Sequence, residues 1–338
     1  MRDVAERAGV STSTVSHVIN HTRFVTPALT DRVRAAMAEL GYQPNVLARS
    51  LRRKETLTLG MIVPDSSSPF FAMMVRAIEE TCFQQGYSVV LTNSEEDPAR
   101  ELSNVSVLLG KQVDGLIFVA VGMGNDDLRR VLRSVPVVVV DRDLPGIEID
   151  AVLVDNLGGG YQATQHLIEL GHRRIACITG PSATTPSAER VIGYYRALGE
   201  AGIPADESLV VRGDFQFGSG YAGAKALLTR PDPPTAIFVC NDLMAVGAIS
   251  AAAELGYCQT ADLSIVGFDN ITLAAYTTPS LTTVAQPIHE IGRLATEMLI
   301  QRIQTPNMPY QRRVLPTRLV IRKSTAPPGQ RPGNRSPL

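Results

Sequence analysis

The chain has no tryptophan, and aromatic residues make up only 5% of it. No run of about 18 or more apolar residues occurs, so the sequence offers no membrane-spanning helix. The four cysteines, Cys82, Cys177, Cys240 and Cys258, lie far apart, with neither a CxxC pair nor a neighbouring His pair. That spacing excludes a zinc ribbon or disulfide framework and reads as reduced core thiols. No apolar leader segment precedes the first helical pattern, and the expectation is a cytoplasmic protein. Nucleophile-elbow GxSxG, P-loop and HExxH patterns are missing, so neither an enzyme nor a bound metal or cofactor is expected. The five histidines include His166, His172 and His289, scattered along the chain and read as surface or capping residues.

The net charge is nearly absent too, at −1, but it is unevenly spread. Residues 1–54 carry nine Lys/Arg and four Asp/Glu, whereas residues 55–338 carry 23 and 29. A basic head on an acidic body suits a nucleic-acid contact confined to the head. Charge alone fits an ordinary solvated surface equally well.

The head supplies a stronger signal. Residues 4–20, VAERAGVSTSTVSHVIN, are two short helical patterns joined by Gly9-Val10-Ser11. Val4, Ala5 and Ala8 line one face of the first, and Val15, Val18 and Ile19 the inner face of the second. A third helix is predicted from about Pro27 to Leu40, with Pro27 in its first turn and Gly41 as C-cap. A helix, a Gly-containing turn and a second helix rich in hydroxyls can present one helix to a major groove. Ser11 would cap that helix. Thr12, Ser13, Ser16 and His17 would share its exposed face, suited to base edges, with Asn20 further along. Thr14 and the helix N-terminal amides suit phosphate. Asn45 to Lys54 form a short basic helical segment, too short to be stable alone.

From Thr56 the pattern becomes alternating apolar strands and helices. Runs occur at Leu57–Val63, Ser88–Leu91, Gly115–Ala120, Pro136–Val140, Ile175–Thr179, Ala236–Cys240 and Leu263–Gly267. Continuous apolar strands between helices predict doubly wound parallel sheets, and this length predicts two lobes. Gly158-Gly159-Gly160 reads as a strand-to-helix turn. The expected organisation is a three-helix helix-turn-helix head over 1–44 and a hinge over 45–55. An α/β core over 56–325 follows, its first lobe 57–157 plus 288–317 and its second 158–287 plus 318–325. The Pro/Gly-rich tail, 326–338, is expected to be disordered.

Polar residues follow several apolar runs: Asp141-Arg142, Asn241-Asp242 and Asp269. Ligands in open α/β sheets bind at the carboxyl ends of parallel strands, which makes this placement informative. Phe70 and Phe71 follow the first strand, while Arg190, Phe215 and Gln286 fall in loops or segment ends. Asp, Asn, Gln, Arg and Phe together suit a polyhydroxyl ligand. Singly, a strand-end Asp is more often a helix cap and a buried Phe more often core.

The patterns AxxAGVSxxTVSxVIN, RFV and LGYxPNxxARSLR resemble the head and hinge of the lactose-repressor family of transcription regulators, and the resemblance extends to about Lys323. It implies that Thr12, Ser13 and His17 read bases and that Leu51 wedges into the minor groove. Arg52, in the basic hinge segment, is expected to contact phosphate whatever the DNA sequence. The core resembles the periplasmic sugar-binding fold through GPSATTPSAERVIGYYRAL, GDFQFGSG and NDLMAVGA. On that resemblance Phe71, Asp141, Arg142, Arg190, Phe215, Asn241, Asp269 and Gln286 fall on sugar contacts, with Phe70 as companion. Ser68 and Glu96-Asp97 depart from Asn-containing patterns, which puts the identity of the sugar in question. Implied partners are a pseudo-palindromic double-stranded DNA operator, a small-molecule effector and a second copy of the chain, with no membrane. The ribose-responsive branch of the family fits best. The purine-responsive branch shares the HVINxTRFV head and GDF, but the Asp141-Arg142 pair favours a sugar.

Overall fold

The computed structural model describes residues 1–20, 22–42, 55–122, 125–144, 146–181, 185–258 and 261–329. The chain divides into two compact units, Met1–Thr56 and Leu57–Leu338.

The first unit contains α1 (Arg2–Ala8), α2 (Thr12–Asn20) and α3 (Pro27–Glu39). Their core is small: Val4, Ala5, Ala8, Val15, Val18, Val33 and Ala36. Polar ties reinforce it. Arg7 pairs with Glu39 of α3, and the Arg32 guanidinium donates to the Ala8 carbonyl at the end of α1. Gly9 has φ +61°, a backbone conformation that favours glycine; a Cβ there would also lie 2.8 Å from Arg32 Nη2 and push aside the guanidinium that holds Ala8 O. Pro27 occupies the first turn of α3, and Gly41, at φ +57°, follows its end with the Tyr42 amide bonded back to Met37 O. The hinge, with Leu51 and Arg52, lies outside the described residues apart from its last position, Glu55.

The second unit is built on two six-stranded sheets. In the first lobe β1 (Thr58–Val63), α4 (Pro69–Gln84), β2 (Ser88–Asn93), α5 (Pro98–Gly110), β3 (Gly115–Phe118), α6 (Asn125–Leu132), β4 (Val137–Val140) and β5 (Asp150–Val154) follow in order. The second lobe runs through α7 (Asn156–Glu169), β6 (Ile175–Thr179), α8 (Thr185–Glu200), β7 (Val210–Arg212), α9 (Phe217–Leu228), β8 (Ala236–Val239), α10 (Asp242–Glu254), β9 (Ser264–Asp269) and β10 (Thr282–Ala285). Helix α11 (Ile288–Gln304) and β11 (Arg312–Leu315) return to the first lobe, and β12 (Arg318–Val320) goes back to the second. The sheet orders are β11-β5-β4-β3-β1-β2 and β12-β10-β9-β8-β6-β7. Every neighbouring pair is parallel except β10 with β12.

Side-chain alternation assigns the two faces. Leu59, Met61 and Val63 of β1 pack with Met74, Ile78, Ile291 and Leu299 of α4 and α11. Ile62 instead joins Leu116, Phe118, Val105 and Leu108 on the other face. Covered on both faces, the central strands β1, β3, β4, β6, β8 and β9 need no polar side, which is why their sequences are apolar runs, while the edge strands β2 and β11 are largely exposed. The second lobe repeats the arrangement around Phe238, Phe268, Tyr194 and Val266.

Several expectations are corrected. Gly158–Gly160 lie inside α7, not in a turn. A Cβ on Gly160 would stand 2.2 Å from Arg190 O, and one on Gly193 2.2 Å from Leu157 O. The glycines therefore let α7 and α8 touch backbone to backbone. His172 is buried, with Nδ1 2.9 Å from Thr235 Oγ1 and Nε2 3.1 Å from Ser264 Oγ, and burial lowers its pKa. The chain stays packed beyond Thr325: Ala326 N donates to Ser264 Oγ at 3.0 Å, and Gly329 sits against Ala261 O. Residues 330–338 lie outside the described residues.

Candidate functional sites: a polar helix face and an interlobe cavity

On α2 the Ser11 hydroxyl accepts from the Thr14 amide at 3.1 Å and lies 2.8 Å from Thr14 Oγ1, which closes the helix N-terminus. Thr12 and Ser13 are exposed, while Thr14, Ser16, His17 and Asn20 are half-buried. The Asn20 amide donates to Ser16 O at 2.9 Å. His17 Nδ1 lies 2.8 Å from Thr22 Oγ1. That contact fixes the imidazole and leaves Nε2 as its second polar edge. Phe24, on the same loop as Thr22, is 89% exposed. The head thus carries hydroxyls, an imidazole and helix-end amides on one short helix, the side-chain types that pair with base edges and phosphates.

In the second unit the carboxyl ends of the strands in both sheets face one cavity of about 90 Å³. Phe70 and Phe71, in the first turn of α4, meet edge to face at 5.1 Å and 66°. Asp141 and Arg142 follow β4 and are buried. Across the cavity Arg190 from α8, Phe215 after β7, Asn241 after β8 and Asp269 at the end of β9 complete the wall. Eight of the nine residues expected from sequence to meet an effector therefore line one space. Gln286 does not line it. It stands behind Asp269, its Nε2 donating to Asp269 Oδ1 at 2.7 Å, while its Oε1 is buried without a hydrogen bond. Sequence reading passed over Asp65, two residues past the end of β1, and Asp214, in the GDF triplet, though both line the cavity. The strand-end rule that selected Asp141 applies equally to Asp65.

The backbone is unusual at this wall. Asp141 has φ +66° and Arg142 N bonds to Val140 O at 2.7 Å, a tight γ-turn with a left-handed centre. Phe215 has φ +68° and Asp269 φ +111°.

Electrostatics hold the polar groups in place. Arg190 donates Nε to Asn156 Oδ1 at 2.9 Å and Nη1 to Cys240 O at 2.6 Å, and stacks on the Phe268 ring at 3.8 Å. Its Nη1 lies 3.7 Å from Asp269 Oδ1. Arg142 makes a two-pronged pair with Glu96, at 2.8 and 2.5 Å. Burial pushes the Asp141 carboxyl up, against the pull of Arg142 and Arg190. Burial also pushes Asp269 up, to about 7, with Arg190 and Gln286 opposing and Asp141 adding to the rise. Asn241 Oδ1 caps α10 through the Met244 amide at 2.9 Å, and its Nδ2 donates to Phe215 O at 2.9 Å. The cavity thus offers acceptors, fixed donors and phenyl faces on opposed walls. A small polyol needs the same complement.

Comparison with known proteins agrees with this division. Residues 1–45 match the lacI family of bacterial regulatory proteins, and residues 164–325 match a periplasmic binding protein-like domain. The chain is 43% identical over 326 residues to the ribose operon repressor of Escherichia coli K12, covering 96% of this chain and 99% of that protein. It is 40% identical to the HTH-type transcriptional repressor PurR of Aliivibrio salmonicida, over 96% of this chain and 98% of that one. Its fold matches a lac repressor dimer bound to operator and an anti-inducer, with TM-score 0.86, 32% identity, and 96% and 98% of the two chains covered. A regulator from Enterococcus faecium with bound ribose matches with TM-score 0.74 and 33% identity, over 80% of this chain and 99% of that one. This chain belongs to the lacI family of bacterial regulatory proteins, with a helix-turn-helix DNA-binding head and a periplasmic-binding-protein-like core.

Proposed function

We propose that this protein is a cytoplasmic repressor that binds a pseudo-palindromic operator as a homodimer. A small ribose-like sugar in the interlobe cavity alters that binding. It acts by binding, without catalysis. The observation that carries the sugar reading is the cavity wall, where Asp141, Arg142, Asn241, Arg190 and Asp269 stand among Phe70, Phe71 and Phe215. Carboxylates accept from neighbouring ring hydroxyls, the guanidinium groups and the Asn amide donate to them, and phenyl faces cover the C–H faces of a sugar ring.

On the head, Thr12, Ser13, Ser16 and His17 read bases from the major groove. Thr14 and the helix amides hold phosphate, with Asn20 at the far end of the same helix. Leu51 and Arg52 act from the hinge, Leu51 by wedging into the minor groove and Arg52 through phosphate. Two copies of the head place two such helices on two half-sites.

Coupling needs no large energy. The lobes are linked by chain crossings after β5, β10 and β11. A sugar gripped from both walls favours one lobe separation over another, and a coupling of about 1–3 kcal/mol changes operator occupancy several-fold or more. A purine acting as corepressor is the competing reading, supported by the likeness to PurR proteins. Fluorescence anisotropy on operator-like duplexes, with D-ribose, other pentoses and purine bases titrated in, separates the two. D-ribose is expected to change duplex affinity in the wild type and not in Asp269→Ala. A response to purine bases alone would replace the sugar reading, and no duplex binding under any condition would end both.

A further inference from the structure

We propose that Glu96 makes the cavity selective against anionic effectors, so that it takes an uncharged polyol and turns away the phosphate esters and acid forms of the same sugar. This deepens the effector reading above and rests on it. The cavity is lined by five carboxylates, Asp65, Glu96, Asp141, Asp214 and Asp269, and by two guanidinium groups, Arg142 and Arg190. An anion entering it needs a free guanidinium fork.

Neither guanidinium has two unbonded nitrogens to offer: Arg142 keeps only Nε and Arg190 only Nη2, enough for a hydroxyl but not for a two-pronged grip on an anion. Arg142 gives Nη1 and Nη2 to the two oxygens of Glu96 at 2.8 and 2.5 Å and also reaches Ala120 O at 3.3 Å, while its Nε lies 4.0 Å from Asp141 Oδ2. Arg190 is committed to Asn156, the Cys240 carbonyl and the ring of Phe268, and faces Asp269 at 3.7 Å.

Glu96 reaches Arg142 from a loop that the fold holds firmly. Ser94 N and Glu95 N bond to Val63 O and Pro64 O at 2.9 and 2.8 Å, and Glu95 pairs with Arg100. Both Glu95 and Glu96 are in the left-handed region, at φ +53° and +56°. Non-glycine residues keep that conformation only where surrounding contacts impose it. The Glu96 side chain is half-exposed at the cavity, so an incoming anion meets its charge before it meets Arg142. Repulsion of the wrong ligand is as effective a route to specificity as attraction of the right one. Hydroxyl groups, in contrast, donate to Glu96 and Asp141 without displacing the ion pair.

The test compares D-ribose with ribose 5-phosphate at matched ionic strength, by isothermal calorimetry and melting temperature, in wild type, Glu96→Gln and Glu96→Ala. Cooperative melting without ligand checks that the variants fold. Wild type is expected to bind D-ribose at least about tenfold more tightly than ribose 5-phosphate, and removal of Glu96 to narrow that ratio by about tenfold or more. Adding Arg142→Gln to Glu96→Gln should abolish the gain. Equal binding of the two ligands by wild type overturns the proposal, as does an unchanged ratio in both Glu96 variants. Should wild type ignore D-ribose, the pentose reading falls. The selectivity proposal is then decided by whether loss of Glu96 creates binding of ribose 5-phosphate.

Discussion

Sugar affinity should rise with pH and level off near neutrality, because of Asp269. Burial does most to push its carboxyl up, Asp141 adds to the rise while Arg190 and Gln286 oppose it, and its pKa stands at about 7 against an ordinary 3.8. In the empty cavity the group is therefore mostly protonated at pH 5.5. Hydroxyls donating to Asp269 favour the ionised form, so below pH 7 binding must release a proton. With the pKa restored to its ordinary range in the complex, the association constant follows the ionised fraction, giving about a 25-fold rise from pH 5.5 to 7.5. Stability of the empty protein runs the other way. A carboxyl whose pKa rises on folding contributes stability that is full below about pH 4 and lost as pH climbs through 7, about 2 kcal/mol between pH 5.5 and 7.5 for this group. Calorimetry of D-ribose binding in two buffers of different ionisation heat measures both affinity and proton release. Asp269→Asn should bind weakly with most of the pH slope gone. A wild-type affinity constant within twofold across this range, or one that falls with pH, would refute the linkage.

His17→Ala should change the preferred operator sequence while leaving the salt slope nearly as in wild type, measured by anisotropy over a salt series, because a base contact carries no counterion release. Asp150→Ala should destabilise the core by about 3–5 kcal/mol in urea unfolding, since it takes the carboxylate at 2.8 and 3.0 Å away from the buried Arg302 and leaves that charge facing the carbonyls of Pro306, Met308 and Pro309. Gly193→Ala should destabilise by about 1–3 kcal/mol or more, because its Cβ would meet Leu157 O and Tyr161 N, both backbone, at 2.2 and 2.6 Å. Gly199→Ala, on the same helix with nothing within 4 Å, should be neutral to stabilising in the same assay.

What was legible in the sequence follows from what is local. The apolar runs of β1, β3, β4, β6, β8 and β9 are buried on both faces and need no partner to be recognised. Strands β5, β7, β10, β11 and β12 escaped notice for other reasons. Strand β7 has three residues, while β11 reads RRVL and is mostly exposed at a sheet edge. Strand β5 is fully buried, yet it begins on Asp150, a charge acceptable there only because Arg302 arrives 152 residues later. The site was visible because strand-end polar residues interrupt apolar runs. That Gln286 stands behind Asp269 could not be read from the sequence, because their distance along the chain says nothing about which of the two stands in front. The glycines of α7 read as a turn because what Gly159 and Gly160 make room for, the Phe268 ring and the Arg190 carbonyl, lies 30 residues or more away along the chain.

Half of the described positive-φ non-glycine residues of the second unit, among them Asp141, Phe215 and Asp269, stand at its cavity. Asp141, Phe215 and Asp269 each occupy a backbone region that costs a non-glycine residue about 1–3 kcal/mol. All three stand on the cavity wall, at the ends of segments whose interiors are regular strand or loop. Glycine would relieve the backbone at each place, but it would supply no carboxylate or phenyl group. The surrounding contacts hold the strain instead: the Val140–Arg142 turn, the Asn241 amide on Phe215 O, and Gln286 on Asp269. A fixed backbone sets the direction in which each side chain leaves the chain, and the hydrogen bonds at Asp269 and Asn241 hold two of the cavity's polar groups, so a ligand has less to order on arrival. On the proposed mechanism, more of its binding energy is then available to bias the separation of the two lobes, which three crossings join.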